Sequence, residues 1–569
     1  MVGKTEGSAE FSAWNPGIGT GIPERFRPLE TIFRPECVFS AAGTVREFAG
    51  LTGLPEEELT VFRPERLVLH EIIIRVTADI AVAEGAEEED FGWNFRRIAE
   101  HIRNAYVEPH MDAIREAYTG LRQSADGSVR QLLAETLFSP PAPAESPRSW
   151  WRRPGKSAPP VPESAVERDH RAIAAYKAAG LASDDPLRRA LFKSLYRVLN
   201  AIAGKRGSVI SDQDLLARLV GQHVCNSYGS HLIGQMIAPL VDTAIEQEGY
   251  IRVPNRETPV LISLKGASAA GKSSLRPLIK QIMRNQGIEA DGYATISPDV
   301  WRRLLLDYES LGPARKYAGH LTSRELLVID GKLDRYIRDK ANRNHAIPHF
   351  LVDRFRFDSF SSDKVMRVLH DTYAKYVDTM YMYFIVTPPE ETVERGWQRA
   401  LERGRYKAVE DFLGHSIEAY SGMPKIFFKW LAYRHPSYRY FFLDNRVPKG
   451  TFPKTIAFGD QTEMTIHDPV AFINIERYQK INVNAGTPGE VYPAAALMSV
   501  AANAGFLKEC IRRIPPVKFT DRDSGIAYLA VSDGNVEVLD TEVFSRVMHD
   551  RECAEAIGEI APQLIADRH

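Results

Sequence analysis

The chain has 569 residues, with 72 Lys and Arg against 74 Asp and Glu, and 44% apolar side chains. That length exceeds one compact core and predicts several domains. The near-neutral charge excludes the broad basic field of a protein that coats nucleic acid or an anionic membrane.

Residues 1–14 lack the apolar core of a signal peptide, and Gly3 is misplaced for N-myristoylation. No apolar stretch approaches the roughly 18 residues of a membrane span, so no membrane partner is expected. Four cysteines without C-x-x-C spacing suit a reducing cytoplasm.

Residues 1–60 are irregular apart from a short helical pattern at 44–53, and 66–138 carry apolar residues at helical spacing. Together, 1–138 reads as a mainly helical N-terminal domain. Residues 139–164 hold eight prolines and almost no periodic pattern, which predicts an extended linker. Within it, Trp150, Trp151, Arg152 and Arg153 form either a docking patch or a locally packed group. Helical patterning resumes over 165–250 as a second helical module. His223, Cys225 and His231 there have no fourth ligand at compatible spacing, so they read as helix packing rather than a zinc site.

The segment 251–480 carries the chemistry. An apolar run at 260–264 meets Gly266, Ala267, Ser268, Ala269, Ala270, Gly271, Lys272, Ser273, and a helical pattern through Ser274 and Leu275 follows. This is G-x-x-x-x-G-K-S between a strand and a helix, a P-loop signature. The two glycines let successive N–H groups point inward at a polyphosphate, and the helix adds the positive end of its dipole. Lys272 is then placed for the β- and γ-phosphates and Ser273 for Mg²⁺. Ser274 and Arg405 complete the expected ATP-binding set.

A short strand at 290–297 leads to Ser297, Pro298 and Asp299. Asp299 reads both as a first-turn helix acid and as the general base for a substrate hydroxyl. A helix at 323–340 precedes the apolar strand 349–353, whose terminal Asp353 is the expected Walker B carboxylate on Mg²⁺. A helix at 361–376 and a strand at 381–386 follow. Thr387, Pro388, Pro389 and Glu390 then open a helix carrying Arg395, Arg399 and Arg403 on one face. Arginine binds phosphate bidentately and stabilises transferring charge, so these three are candidate catalytic residues; the alternative is a solvated face paired with Glu391, Glu394 and Glu402. Strands alternating with helices predict an α/β fold: a P-loop kinase core with a mostly parallel sheet, flanked by the helical N-terminal region.

These stretches together resemble the zeta-toxin family of P-loop kinases over about residues 255–445: Gly266 to Ser273, then SPDVWRRLL, the strand ending at Asp353, and MYFIV followed by ERGWQRALERGRY. The resemblance implies ATP- and Mg²⁺-dependent phosphorylation of a sugar hydroxyl on a nucleotide sugar, and an antitoxin or other protein partner. It matches Asp299 to the family's catalytic aspartate, and Arg395 with the arginines after it to the lid arginines. The chain departs from the family in a longer spacing from Lys272 to Asp299, a single Gly404 after the lid arginines, and RFRFDSF after Asp353.

Residues 481–569 read as a small α+β module. It carries helices at 494–514 and 541–565 and a hairpin turning at Asp533-Gly534; before it, KGTFPKTIAFGDQTEMTIHD (449–468) is expected to form short strands that finish the sheet or add an edge hairpin. Two alternatives to a small-molecule kinase stand beside it. One is a polynucleotide or RNA hydroxyl kinase, with Arg302, Arg303, Arg354, Arg356 and the stretch 434–440 containing Tyr438 and Tyr440 lining a groove. The other is a nucleotide-binding switch engaging a protein through the N-terminal domain.

Overall fold

The computed structural model describes residues 11–85, 87–138, 164–354 and 374–566. Trp150, Trp151, Arg356 and most of the expected helix 361–376 lie outside the described residues. The chain divides into two compact units, residues 27–73 with 99–248, and residues 1–26, 74–98 and 249–569.

The first unit is helical. It takes α1 (Ala42–Thr52), the first part of α2 (Pro64–Asp79), the end of α3 (Glu88–His101), α4 (Met111–Thr136), α5 (Ala165–Ala182), α6 (Pro186–Arg206) and α7 (Gln213–Glu248). Its starts are chemical. The Ser164 hydroxyl accepts from the Glu167 amide while the Glu167 carboxylate accepts from the Ser164 amide, and Asp185 caps α6 ahead of Pro186. Leu195, Val198, Leu199 and Ile202 of α6 share one buried face with helical spacing. On α7, His223 pairs through Nδ1 with the Ser194 hydroxyl at 2.8 Å, and Cys225 is buried. Among the described residues, no three His, Cys, Asp or Glu side chains are grouped to hold a metal.

The second unit is built on one sheet in the order β10-β9-β8-β7-β6-β5-β4-β1-β3-β2. Its strands are β1 (Val260–Lys265), β2 (Tyr293–Ile296), β3 (His349–Val352), β4 (Thr379–Val386) and β5 (Ser437–Asp444), followed by β6 (Lys454–Asp460), β7 (Met464–Ile466), β8 (Val517–Thr520), β9 (Ala527–Ser532) and β10 (Asn535–Val538). All pairings among β1 to β5 are parallel, with Ile262 opposite both Leu351 and Tyr381. Their near-continuous burial is that of strands covered on both faces. From β5 to β10 the sheet is mixed, parallel at β7–β8 and antiparallel elsewhere. The fold is therefore α/β, and β9 and β10 form the hairpin expected around Asp533 and Gly534.

The helices of this unit used below are α8 (Lys272–Arg284), α9 (Ser323–Asn344), α10 (Pro389–Arg403), α11 (Val409–Leu431), α12 (Pro469–Arg477) and α13 (Gly505–Arg513). An aromatic cluster ties α11, α12 and α13 to the sheet: Phe442 stacks on Phe384 at 4.6 Å and meets Phe427, Phe472 and Phe506 edge-on.

Three sequence expectations differ from the structure. The single helix at 494–514 is broken before α13, because the buried Asn503 side chain donates to the Leu497 and Ser499 carbonyls. The helix at 541–565 is interrupted at Asp550, whose carboxylate caps a new helix by accepting from the Cys553 amide. Tyr438 and Tyr440, read as groove residues, are fully buried on β5. No helix among the described residues is long and apolar enough to cross a membrane.

Candidate functional site

The parallel half of the sheet places the carboxyl ends of β1 to β5 at one edge, where ligands of open α/β sheets bind. A cavity of about 860 Å³ opens there, lined from the loop after β1, the start of α8, Asp299, Asp353, the arginine face of α10 and the 445–453 loop.

The loop is shaped by local backbone demands. Gly271 has φ 97°, and a Cβ there would lie 2.2 Å from Asn445 Nδ2, so only glycine fits. The Ala270 carbonyl is pinned twice, by Asn445 Nδ2 at 2.7 Å and by Thr387 Oγ1 at 3.1 Å. Lys272 Nζ donates to the carbonyls of Gly266 and Ala267 at 3.0 and 2.9 Å, folding the lysine back over its own loop. Burial pushes its ammonium down in pKa, against the pull of Asp353 and Asp299.

Ser268, Ala269, Gly271, Lys272, Ser273 and Ser274 line the cavity, and Ala267 and Ala270 are fully buried. A Cβ on Gly266 would press within 3.1 Å of Ile385, which fits its place at the base of the loop.

Ser273 Oγ donates to Asp353 Oδ2 at 3.2 Å. Burial pushes the Asp353 carboxyl up, more than Lys272 and Arg276 pull it down. Hydroxyl and carboxylate together are the hard oxygen donors that suit Mg²⁺, which keeps most of its waters and takes few protein ligands.

Asp299 is doubly paired. Arg405 donates to both of its oxygens at 2.7 and 2.9 Å, and Arg302 Nε donates to Oδ1 at 3.1 Å. Burial would raise its pKa, but the Arg405 and Arg302 guanidinium groups outweigh it and hold the carboxyl far below the usual range. Just under half of the side-chain surface, 48%, is open to the cavity. Ser297 makes no helix cap; its hydroxyl accepts from Arg276 Nη1 at 3.3 Å instead.

All three arginines of α10 line the cavity. Arg395 donates to Glu391 at 2.8 Å and to the Asn445 carbonyl at 2.7 Å, and Arg403 pairs with Glu89 at 2.7 Å.

Several lining or supporting groups escaped the sequence reading. Thr387 and Asn445 follow the last residues of β4 and β5, a position that marks them once strand order is known. Arg354, by contrast, was among the residues read as lining a nucleic-acid groove; it is buried and held by Asp330 and Asp334 at 3.0 Å each. On the α11 side, Lys407 contacts His415, and His320 meets Asp411 at 3.2 Å. Burial pushes Lys407 well down and His415 down to about 3.

No family model matches the chain. No curated protein matches it either. Among solved structures, a chain described under the PezAT chromosomal toxin-antitoxin system of the human pathogen Streptococcus pneumoniae is similar at 12% identity, over 37% of this chain and 76% of that chain, with a TM-score of 0.26. A superposition at that level carries no structural argument.

Proposed function

We propose that the chain is an ATP- and Mg²⁺-dependent phosphotransferase that phosphorylates a hydroxyl of a small molecule, nucleotide sugars being the acceptors its zeta-toxin-like motifs favour. One observation carries the reading: Lys272, the Ser273–Asp353 pair, Asp299 and the α10 arginines, drawn from four separate stretches of chain, line one cavity. ATP would supply the transferable phosphoryl group, and Mg²⁺ would offset charge on its oxygens.

The remaining work falls to the chain's own residues. The loop N–H groups and α8 bind phosphate, and Lys272 exchanges its two carbonyl partners for phosphate oxygens. Ser273 and Asp353 would hold the metal. Arg399 and Arg405 stabilise charge on the moving group, with Arg395 and Arg403 joining as they release Glu391 and Glu89. Asp299, while held by Arg405, is a weak base. It accepts the acceptor's hydroxyl proton once Arg405 turns to the phosphates, so ligand binding itself raises its basicity.

The test is transfer of labelled γ-phosphate from ATP to nucleotide sugars, nucleosides and RNA. One acceptor should be labelled, with Lys272→Ala lowering the rate about 10²–10³-fold and Asp299→Asn about 10²–10⁴-fold. Bound ATP with no acceptor labelled would overturn the kinase and favour a nucleotide switch that engages a protein.

A further inference from the structure

Behind the cavity lies a buried charge network that the proposed reaction does not yet use. Arg276, one turn along α8 from Lys272, is 1% exposed. Its Nε donates to both oxygens of Glu84, at 2.9 and 3.2 Å, and Lys280 Nζ pairs with Glu84 at 2.9 Å. The other edge of the Arg276 guanidinium reaches Ser297 Oγ at 3.3 Å and Asp353 Oδ2 at 3.5 Å. That Asp353 oxygen is the one that accepts from Ser273. Phe91 lies under the guanidinium, 4.5 Å from ring centroid to Cζ.

Two cations thus face two carboxylates, and the geometry is unequal. Glu84 takes the shorter, bifurcated contact from Nε and Asp353 only a long one. A guanidinium anchored this way polarises Asp353 without occupying it. Were Glu84 neutral, Arg276 would have Asp353 as its one remaining carboxylate in the network and would close on the oxygen that a metal needs.

The same stretch also touches α9 and the cavity-lining Arg403. Asp79 binds Tyr336 and Lys340 of α9 at 2.5 and 2.6 Å, and Glu89 holds Arg403 at the end of α10.

We infer that Glu84 is a positioning residue for the metal: by anchoring Arg276 it keeps Asp353 available to Mg²⁺. This rests on the reading of Asp353 as a magnesium ligand. It gives the non-helical stretch that carries Glu84, between α2 and α3 and remote in sequence from the P-loop, a role that its sequence does not advertise.

The experiment measures ATP binding by calorimetry to the full-length protein across a Mg²⁺ series and with EDTA. Wild type, Glu84→Gln, Lys280→Met, Glu84→Gln/Lys280→Met and Asp353→Asn are compared. Glu84→Gln should raise the Mg²⁺ concentration for half-maximal enhancement about 10- to 100-fold, the usual cost of losing a partner behind a metal ligand, and leave metal-free ATP affinity unchanged. The double variant removes one buried cation with the anion, so it should fold even if the single variant does not, and should show the same shift. Lys280→Met keeps the Arg276 anchor and should bind Mg²⁺ normally.

Folded Glu84 variants with wild-type Mg²⁺ dependence would overturn the inference, as would equal loss of metal-free and metal-dependent binding. Wild-type ATP binding that ignores Mg²⁺, or an Asp353→Asn protein that keeps the enhancement, would instead remove the metal-site reading beneath it.

Discussion

The two halves of the sheet use the ends of their strands differently. In the parallel half every strand delivers a polar or loop-forming residue to the same edge: Gly266 after β1, Ser297 after β2, Asp353 after β3, Thr387 after β4 and Asn445 after β5. In the half from β6 to β10 the corresponding residues close turns. Asp460 accepts from the Thr462 and Glu463 amides, and Asp521 from the Ser524 amide. Direction explains part of the contrast: β1 to β5 gather their carboxyl ends along one rim, whereas β6, antiparallel to β5, sends its end at Asp460 to the opposite rim. β8 runs the same way as β5, and its end is taken up by the turn at Asp521.

That contrast is open to attack at several points. The largest stability effect is expected where the halves meet. Phe442→Ala on β5 empties the centre of the aromatic cluster and should cost about 3–5 kcal/mol in denaturant unfolding. A loss near 1 kcal/mol would mean that the cluster relaxes around the gap and that the halves are less tightly joined.

Next is acid. His349 at the start of β3 accepts from the Val260 amide through Nδ1 at 2.9 Å, and burial, with Arg256 nearby, lowers its pKa to about 4. The folded state holds it neutral while the unfolded chain protonates it near 6.5. Stability from this group is therefore complete above that value and falls as pH drops toward 4, by on the order of 2 kcal/mol at pH 5. His349→Asn should flatten unfolding free energy between pH 7 and 5; an unchanged slope would assign the acid sensitivity elsewhere.

Smaller still is the loop pin. Asn445→Ala leaves Thr387 as the Ala270 partner and should cost about 1 kcal/mol of loop order, read as a severalfold weaker ATP affinity with little change in melting temperature. On the far edge, Glu537→Ala on exposed β10 should move stability by less than about 0.5 kcal/mol and leave ATP affinity untouched.

What was legible in the sequence follows from how local each signal is. The Gly266–Ser273 loop declares itself because the pattern a phosphate loop would need, glycine, lysine and serine, falls within eight consecutive positions. Asp299 and Asp353 were found because each follows an apolar strand. The α10 arginines were visible through helical spacing. The network from Glu84 to Arg276 was not, since 192 residues separate two charges that each look like solvated surface. Tyr438 and Tyr440 misled because alternation with Ser437 and Arg439 marks a strand as much as a basic groove, and burial decided for the strand. The helix α11 carried Phe412, Ala419, Met423 and Phe427 at helical spacing, a signal that was present and passed over. Asp550 and Asn503 show the opposite failure, where single side-chain hydrogen bonds break helices whose apolar periodicity runs on.

The central claim is that the rim of the parallel half is a phosphate site organised by Lys272. Calorimetric titration of ATP into wild type and Lys272→Ala, with and without Mg²⁺, tests it most directly. Wild type should bind ATP more tightly with Mg²⁺, and the variant should stay folded while losing about 2–5 kcal/mol of binding, as expected for removing a buried charge from its partner. Equal ATP affinity in the two proteins, or no ATP binding by folded wild type, would contradict it.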